Sequence, residues 1–317
     1  MYNMIIISYR KVKLKSIDIM DERINTVSSW LKKEFGKKTV KLSIDGGFTC
    51  PNRDGSKGIG GCLFCSSTGS GDTASNIEDQ IRLLSDKWPD AKYLAYFQNH
   101  SNTYAPVEQL REKYMNALEN PKISGIVIAT RPDCFTPKVL DLLDEINQNH
   151  FMWVEMGLQT MHNKTMEAMN LCYNLKDYED AMEQLKKRDI KVVTHLILGL
   201  PGEDRKMMEE SLSYVCNSGT WGIKLHLLNV VKGSQMERLY PTYQSFAKIE
   251  DYIELVSDFI EMIPENIVVH RMTADAPRKI LISPPWSYKK RTILNGINNT
   301  LRQRETHQGA KKDLLPK

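Results

Sequence analysis

Through the middle of the chain, short apolar and β-branched runs alternate with longer stretches whose apolar residues recur every three or four positions. Residues 40–44, 93–97, 125–129, 153–156, 192–198 and 223–229 predict strands, and 77–87, 107–119, 137–147, 175–188 and 205–217 predict helices. Between 176 and 187 the pattern sets Tyr178, Ala181, Met182 and Leu185 on one helical face. Pro106 and Pro137 fall where first helical turns are expected, at positions where a missing N–H costs nothing. A helix is expected over 23–35, before this series. Another follows it at 246–262, then a strand at 267–270 and a last helix at 288–304.

Six strand-then-helix units predict an α/β fold with a parallel sheet and right-handed crossovers. Several strands are almost wholly apolar, as strands covered on both faces are. The sheet is then either an open doubly wound one or a partial barrel, and in both the reactive site lies at the C-terminal strand ends. The polar and glycine-rich segments meet that rule. Cys50 follows the first strand, Gln98 to Tyr104 the second, and Arg131-Pro132-Asp133 the third. Gly157-Leu158-Gln159 follows the fourth, and Gly199-Leu200-Pro201-Gly202 the fifth. No internal repeat or low-complexity linker interrupts the chain. The expected division is an N-terminal extension and helix (1–39), a core (40–239) and an α-rich C-terminal extension (240–317).

A chain of 317 residues, 41% hydrophobic and 26% charged, has the composition of an ordinary globular protein. No run approaches the ~20 apolar residues of a membrane span. Met4-Ile5-Ile6-Ile7 is too short for a signal-peptide core, and its basic residues follow it. A cytoplasmic protein with no membrane partner is therefore expected. The charge is uneven: eight Lys/Arg lie in 285–317 against Glu305 and Asp313, a net of +6 in a chain of net +4. Such a tail suits an anionic partner, nucleic acid first, or else a solvated C-terminal helix.

Three of the six cysteines, Cys50, Cys62 and Cys65, lie within sixteen residues in the spacing C-x11-C-x2-C, with a glycine-rich loop between the first two. In a cytosolic chain thiols or metal ligands are expected rather than disulfides. Three thiolates with no fourth Cys or His nearby leave one coordination position open. A structural zinc site closes with four protein ligands, so a [4Fe–4S] cluster with one unprotected iron fits better.

These cysteines resemble those of the radical S-adenosylmethionine (SAM) superfamily, in a branch with cluster cysteines spaced more widely than usual. The resemblance extends through 154–160, through the segment from His195 to Glu203, and through Glu305-Thr306-His307-Gln308-Gly309. It is strongest to the YtqA/YhcC group, and within that to an enzyme of Gram-positive bacteria acting on the wobble uridine of tRNA. The resemblance implies a partial (β/α)6 barrel, one [4Fe–4S] cluster on Cys50, Cys62 and Cys65, and SAM as cosubstrate. It also implies a 5′-deoxyadenosyl radical as the hydrogen-abstracting species. Gln98, Asn102, Thr103 and Tyr104 stand where the family contacts the methionine moiety of SAM, and Gln159 where a relative holds the ribose. His195 replaces a relative's aspartate, and Glu155 falls on the strand before the glycine.

One departure stands out. Leu171 occupies the place of an arginine that contacts the SAM carboxylate in relatives, and Arg131 is the candidate substitute, or else a salt-bridge partner of Asp133. Lys224 and His226 alternate with leucines on the sixth strand, so both are expected to face the barrel interior as catalytic candidates.

The resemblance further implies conversion of 5-carboxymethylaminomethyluridine to 5-aminomethyluridine in the tRNA anticodon. An electron donor such as flavodoxin or ferredoxin, and a separate methyltransferase acting on the product, are the partners it implies. Lys289, Lys290, Arg291, Arg302, Arg304, Lys311 and Lys312 are then expected to hold phosphates, and Trp286 to stack on a base or to pack. The alternatives are radical chemistry on a tetrapyrrole or small metabolite, and a non-catalytic metal-stabilised RNA-binding protein.

Overall fold

Nine strands arise in chain order: β1 (Thr39–Ile44), β2 (Lys92–Phe97), β3 (Ile123–Thr130), β4 (Met152–Gln159), β5 (Val192–Leu198), β6 (Gly222–Leu227), β7 (Val230–Val231), β8 (Val268–Arg271) and β9 (Leu281–Ser283). The computed structural model describes residues 23–66, 69, 74–274 and 276–315. The segment Met4-Ile5-Ile6-Ile7 and Lys317 lie outside the described residues. Seven strands make one sheet in the order β1-β2-β3-β4-β5-β6-β8, parallel throughout, while β7 and β9 pair antiparallel beside it. The six expected strands are all present. The seventh, β8, comes from the C-terminal stretch and extends the sheet beyond β6.

The helices are α1 (Val27–Phe35), α2 (Ile77–Ser85), α3 (Val107–Leu118), α4 (Pro137–Asn149), α5 (Asn163–Ala168), α6 (Leu175–Lys186), α7 (Arg205–Asn217), α8 (Gln235–Leu239), α9 (Ile249–Met262) and α10 (Lys290–Gln303). Their starts follow from local chemistry. Thr136 accepts from the Val139 N–H with Pro137 behind it, Asn174 and Asp177 form a capping box, and Asp204 accepts from the Met207 N–H. Pro106 caps α3 rather than entering its first turn. Helix α1 begins four residues later than its apolar pattern suggests. The reason is that the Asn25 carbonyl is taken by Val269 N–H and Thr26 serves as the cap.

Two apolar clusters divide the sheet by strand parity. On one face Leu42, Ala95, Ile128, Val154, Leu196 and Leu225 join the side chains of the covering helices. On the other, Leu94, Tyr96, Val127, Trp153 and Val193 pack against Leu31 of α1. There Trp30, Phe151, Trp153, Trp221 and His270 pack ring on ring with centroids 4.9–6.0 Å apart, mostly edge to face, with Trp30 stacked on Phe151. Trp153 is fully buried, so Trp153→Ala is expected to cost about 3–5 kcal/mol.

The sheet curls around this second face. Lys41 on β1 and Lys224 on β6 both reach Glu155 on β4. Flat strands ~4.8 Å apart would leave β1 and β4 too far from each other for that contact. Helix α1 packs on both edge strands, β1 and β8, and closes the floor of the half-barrel.

Candidate active site

Cys50 sits in the turn after β1, buried at the upper rim of the curl. Cys62 and Cys65 share one tight turn, with the Cys65 N–H donating to the Cys62 carbonyl at 3.0 Å. The loop between is closed by Gly61 N–H to Asn52 O (2.7 Å) and Lys57 N–H to Pro51 O (2.8 Å). It is anchored on both sides. Leu63 N–H donates to Met169 O (3.0 Å) and the Asn170 amide to Gly61 O (2.9 Å), while Met236 N–H of α8 donates to Leu63 O (2.9 Å).

The three thiols act on one another. A hydrogen bond with Cys65 and burial push the Cys62 thiol well up, with the other two sulfurs adding to the rise. Burial also raises Cys50, against the pull of the Arg131 guanidinium. Among the described residues no group of three His, Cys, Asp or Glu side chains is arranged to hold a single metal ion. A cluster instead asks each sulfur to take its own iron, and three neighbouring thiols are the donors for one.

Arg131 closes this site from the β3 end. Its Nε and Nη2 donate to the two Asp133 oxygens, each at 2.9 Å, and its plane lies 4.8 Å over Tyr173. Nη1 points at Cys50 Sγ, 3.9 Å away. Burial would raise the Asp133 carboxyl, but Arg131 and Lys57 outweigh it and hold it low. Arg131 thus pairs with Asp133, and its third nitrogen faces the cysteines. Leu171 is fully buried in the large core cluster, so nothing polar comes from that position.

The other candidates separate by what their polar atoms already hold. Gln98 accepts from Ser43 Oγ (2.9 Å) on the inner face, and Tyr104 OH meets Ser56 Oγ of the cysteine loop (2.7 Å). The Asn102 amide donates to the carbonyls of Phe97, Asn99 and Ala129, and Thr103 bonds Thr130 Oγ1. These two build the loop after β2. Gln159 has a left-handed backbone (φ 73°) at the bulged end of β4, and its amide folds over Gly157. A Cβ at 157 would stand 2.5 Å from Gln159 Nε2, so the glycine makes that rotamer possible.

Below the rim lies a charged layer. Glu155, with no exposed surface, accepts from Lys41 Nζ (2.9 Å), Trp153 Nε1 (3.2 Å), Tyr96 OH (2.6 Å), His195 Nε2 (3.2 Å) and Lys224 Nζ. Burial would push its carboxyl up, but Lys224, Lys41 and His195 hold it well below the usual carboxylate range. Burial and Lys224 lower His195 to about 4. Its imidazole is therefore neutral at pH 7, with Nε2–H given to Glu155 and Nδ1 left as an acceptor. The His226 ring lies 5.1 Å from that of His195, and its buried Nε2 has no protein partner. Lys224 and His226 do face the interior, Lys224 held by Glu155.

Tyr96, Lys41, Tyr173 and Asn52 belong to this constellation and are missing from the sequence-based set. Lys41 and Tyr96 share strand parity with Ser43 and Gln98, a signal the two-residue period carries. Nothing local marks Tyr173 or Asn52.

The basic C-terminal residues also divide. Arg304 is bound by Asp258, Glu261 and Glu254, Lys311 by Glu261 and Lys312 by Glu265. Trp286 is partly buried and packs against the core, 6.0 Å from the Tyr252 ring. Lys289, Lys290 and Arg291 instead open α10 beside Tyr288, whose exposed ring carries Arg278 at 4.5 Å. Lys232 N–H donates to Ile280 O, which joins this basic surface to the β7–β9 ribbon and, through α8, to the cysteine loop.

Comparison with known proteins bears directly on this geometry. Residues 50–215 match the family described as the Radical SAM superfamily, and 220–303 match the Radical_SAM C-terminal domain. The uncharacterized protein YtqA of Bacillus subtilis is 43% identical over 298 residues, 91% of this chain and 92% of its own. Protein YhcC of Escherichia coli is 37% identical, over 90% of this chain and 94% of its own. Further off, a Methanocaldococcus jannaschii protein named tRNA uridine(34) acetyltransferase is 22% identical over 53% of this chain and 31% of its own. The solved structure of Methanocaldococcus infernus Elp3 superposes with a TM-score of 0.64 at 16% identity, covering 88% of this chain and 68% of that one, and shares the fold.

Proposed function

Because the chain belongs to the radical SAM superfamily, whose members use a [4Fe–4S] cluster and SAM, we propose that Cys50, Cys62 and Cys65 hold the cluster and that the substrate is the wobble uridine of a tRNA. The observation that carries the first half is the convergence of three thiols and Arg131 at the C-terminal strand ends, above the Glu155 layer. When bound, the cluster supplies the electron that cleaves SAM to a 5′-deoxyadenosyl radical, and an external donor such as flavodoxin or ferredoxin would replenish it. The chain's own residues do the rest. Gln98, Gln159 and the free Nδ1 of His195 offer polar contacts to the SAM amino acid and ribose, and Arg131 offers a cation to its carboxylate. Lys224 and His226 line the interior toward the substrate, and the apolar floor excludes water.

The RNA half rests on the basic residues Lys232, Arg278, Lys279, Lys289, Lys290 and Arg291, which connect to the cysteine loop through the β7–β9 ribbon and α8. It also rests on the partial match to a protein named for tRNA uridine 34. In this reading 5-carboxymethylaminomethyluridine becomes 5-aminomethyluridine, and a separate methyltransferase takes the product. Two measurements test it. Anaerobically reconstituted protein with SAM and dithionite is expected to release 5′-deoxyadenosine, and its absence would exclude catalysis. Mass spectrometry of wobble nucleosides from a deletion strain is expected to show the carboxymethylated base accumulating, and an unchanged profile would exclude this substrate.

A further inference from the structure

Asn52 lies two residues after Cys50, has no exposed surface, and its carboxamide is used at every atom. One N–H of Nδ2 goes to the Asn170 carbonyl and the other to Cys62 Sγ, 3.6 Å away. Oδ1 accepts from the Cys172 thiol at 3.1 Å. The Asn170 carbonyl can only accept, so it fixes which end of the carboxamide carries the hydrogens, and the Cys172 thiol, also 3.5 Å from Asn170 Oδ1, completes the arrangement by donating to Asn52 Oδ1. The Asn170 carbonyl and Cys172 together hold the rotamer that aims a hydrogen at Cys62.

The surroundings hold this arrangement in place. Asn170 and Cys172 both have left-handed backbones, φ 55° and 56°, an uncommon state for residues other than glycine. Gly58 packs on the pair: a Cβ there would stand 2.7 Å from Cys172 Sγ and closer still to Asn52 Oδ1. No larger residue fits without displacing the relay. The short segment after α5 thus does two things. It anchors the cysteine loop through backbone bonds, and through Cys172 it orients one buried donor.

We propose that Asn52, oriented by Cys172, is a positioning residue that sets the reduction potential of the cluster through its N–H to the Cys62 sulfur. The proposal rests on Cys62 being a cluster ligand and is independent of the substrate. Hydrogen bonds to ligand sulfurs stabilise the more negative, reduced cluster and so raise its potential. Removing the donor makes the cluster harder to reduce.

The test is an EPR-monitored redox titration of the full-length, anaerobically reconstituted protein. Asn52→Ala is expected to lower the reduced-to-oxidised ratio about tenfold at the wild-type midpoint, about 59 mV for one electron. Cys172→Ala is expected to move the midpoint the same way by a smaller amount, and Cys172→Ser, whose hydroxyl still donates to Oδ1, to restore it. A wild-type midpoint in Asn52→Ala overturns the proposal. Should that variant bind no cluster, a wild-type midpoint in Cys172→Ala overturns it instead. Cys62→Ala is expected to lose cluster iron, and full retention there would overturn the ligand assignment itself, separately from the hydrogen bond.

Discussion

The half-barrel holds two polar layers a few residues apart along the same strands, and they are finished differently. Around Glu155 every polar atom of the carboxylate is met, by five donors from β1, β2, β4, β5 and β6. At the rim, Asn99 Oδ1, His100 Nδ1, Asn102 Oδ1, His226 Nε2 and Asn229 Oδ1 are buried with no protein partner, as are both ring nitrogens of His270 among the aromatic rings of the floor. A buried ion with all partners in place is a structural solution, since leaving any of them out costs several kcal/mol. Buried acceptors with spare valence are what a site for another molecule leaves in the protein. The contrast assigns the lower layer chiefly to holding the curl and the upper one to binding. His195 stands between, with one nitrogen in each.

Four perturbations would break or sharpen that division. Replacing any one of Cys50, Cys62 or Cys65 by alanine is expected to reduce SAM cleavage to background, with thermal stability of the apo-protein nearly unchanged. Deoxyadenosine assays beside calorimetry check it, and a large fall in stability would place the rim among the structural layers.

Glu155→Gln should do the reverse. It strands Lys41 and Lys224 in the interior and is expected to cost about 3–5 kcal/mol, read from the urea midpoint. Adding Lys224→Met is expected to recover part of that, because the pair is coupled.

Smaller still is the effect of pH. His195 ordinarily titrates near 6.5 but is held to about 4 in the fold. Between those values the unfolded chain binds the extra proton, so stability falls as pH drops through that window, at up to about 1.4 kcal/mol per pH unit. His195→Asn is expected to flatten the slope of stability between pH 6.5 and 4. An unaltered slope would remove His195 from the charged layer.

The smallest effect expected is on SAM binding by Gln159→Ala, a loss of about tenfold with no change in the urea midpoint. Equilibrium binding to the reconstituted protein decides it, and unaltered affinity would take Gln159 out of the upper layer.

Much of this was legible in the sequence wherever one periodicity spoke alone. The six strands and their covering helices follow from apolar runs and caps, and the cysteine spacing points to its chemistry without a fold. What stayed hidden depends on curvature. That Glu155 would meet Lys41 and Lys224 requires knowing that β1 and β6 bend toward β4, and no local pattern encodes the bend. The five- and six-residue helices α8 and α5 are too short for a helical period to register. Tail charge misled for a related reason: Arg304 and Lys311 read as free cations only until α9 supplies Asp258 and Glu261 opposite them, and Lys312 only until Glu265 meets it. Asn102 illustrates the converse, a residue at the expected edge whose amide nitrogen is met by carbonyls of β2, β3 and its own loop.

The bridge between Thr26 and Val269, with Asn25 and Arg23 bonded to the segment around Gln308, has a consequence for how the chain is made. The helix that floors the barrel is synthesised first, yet its partners on β8 leave the ribosome more than two hundred residues later. At ~5–20 residues per second, that is an interval of roughly ten seconds or more during which Trp30 and Leu31 have only the growing β1–β6 array to shelter them. Closure of the ring is therefore a late, long-range event, slow in the way that distant contacts are. A nascent chain stalled before residue 268 would present its aromatic floor to chaperones, and to its neighbours.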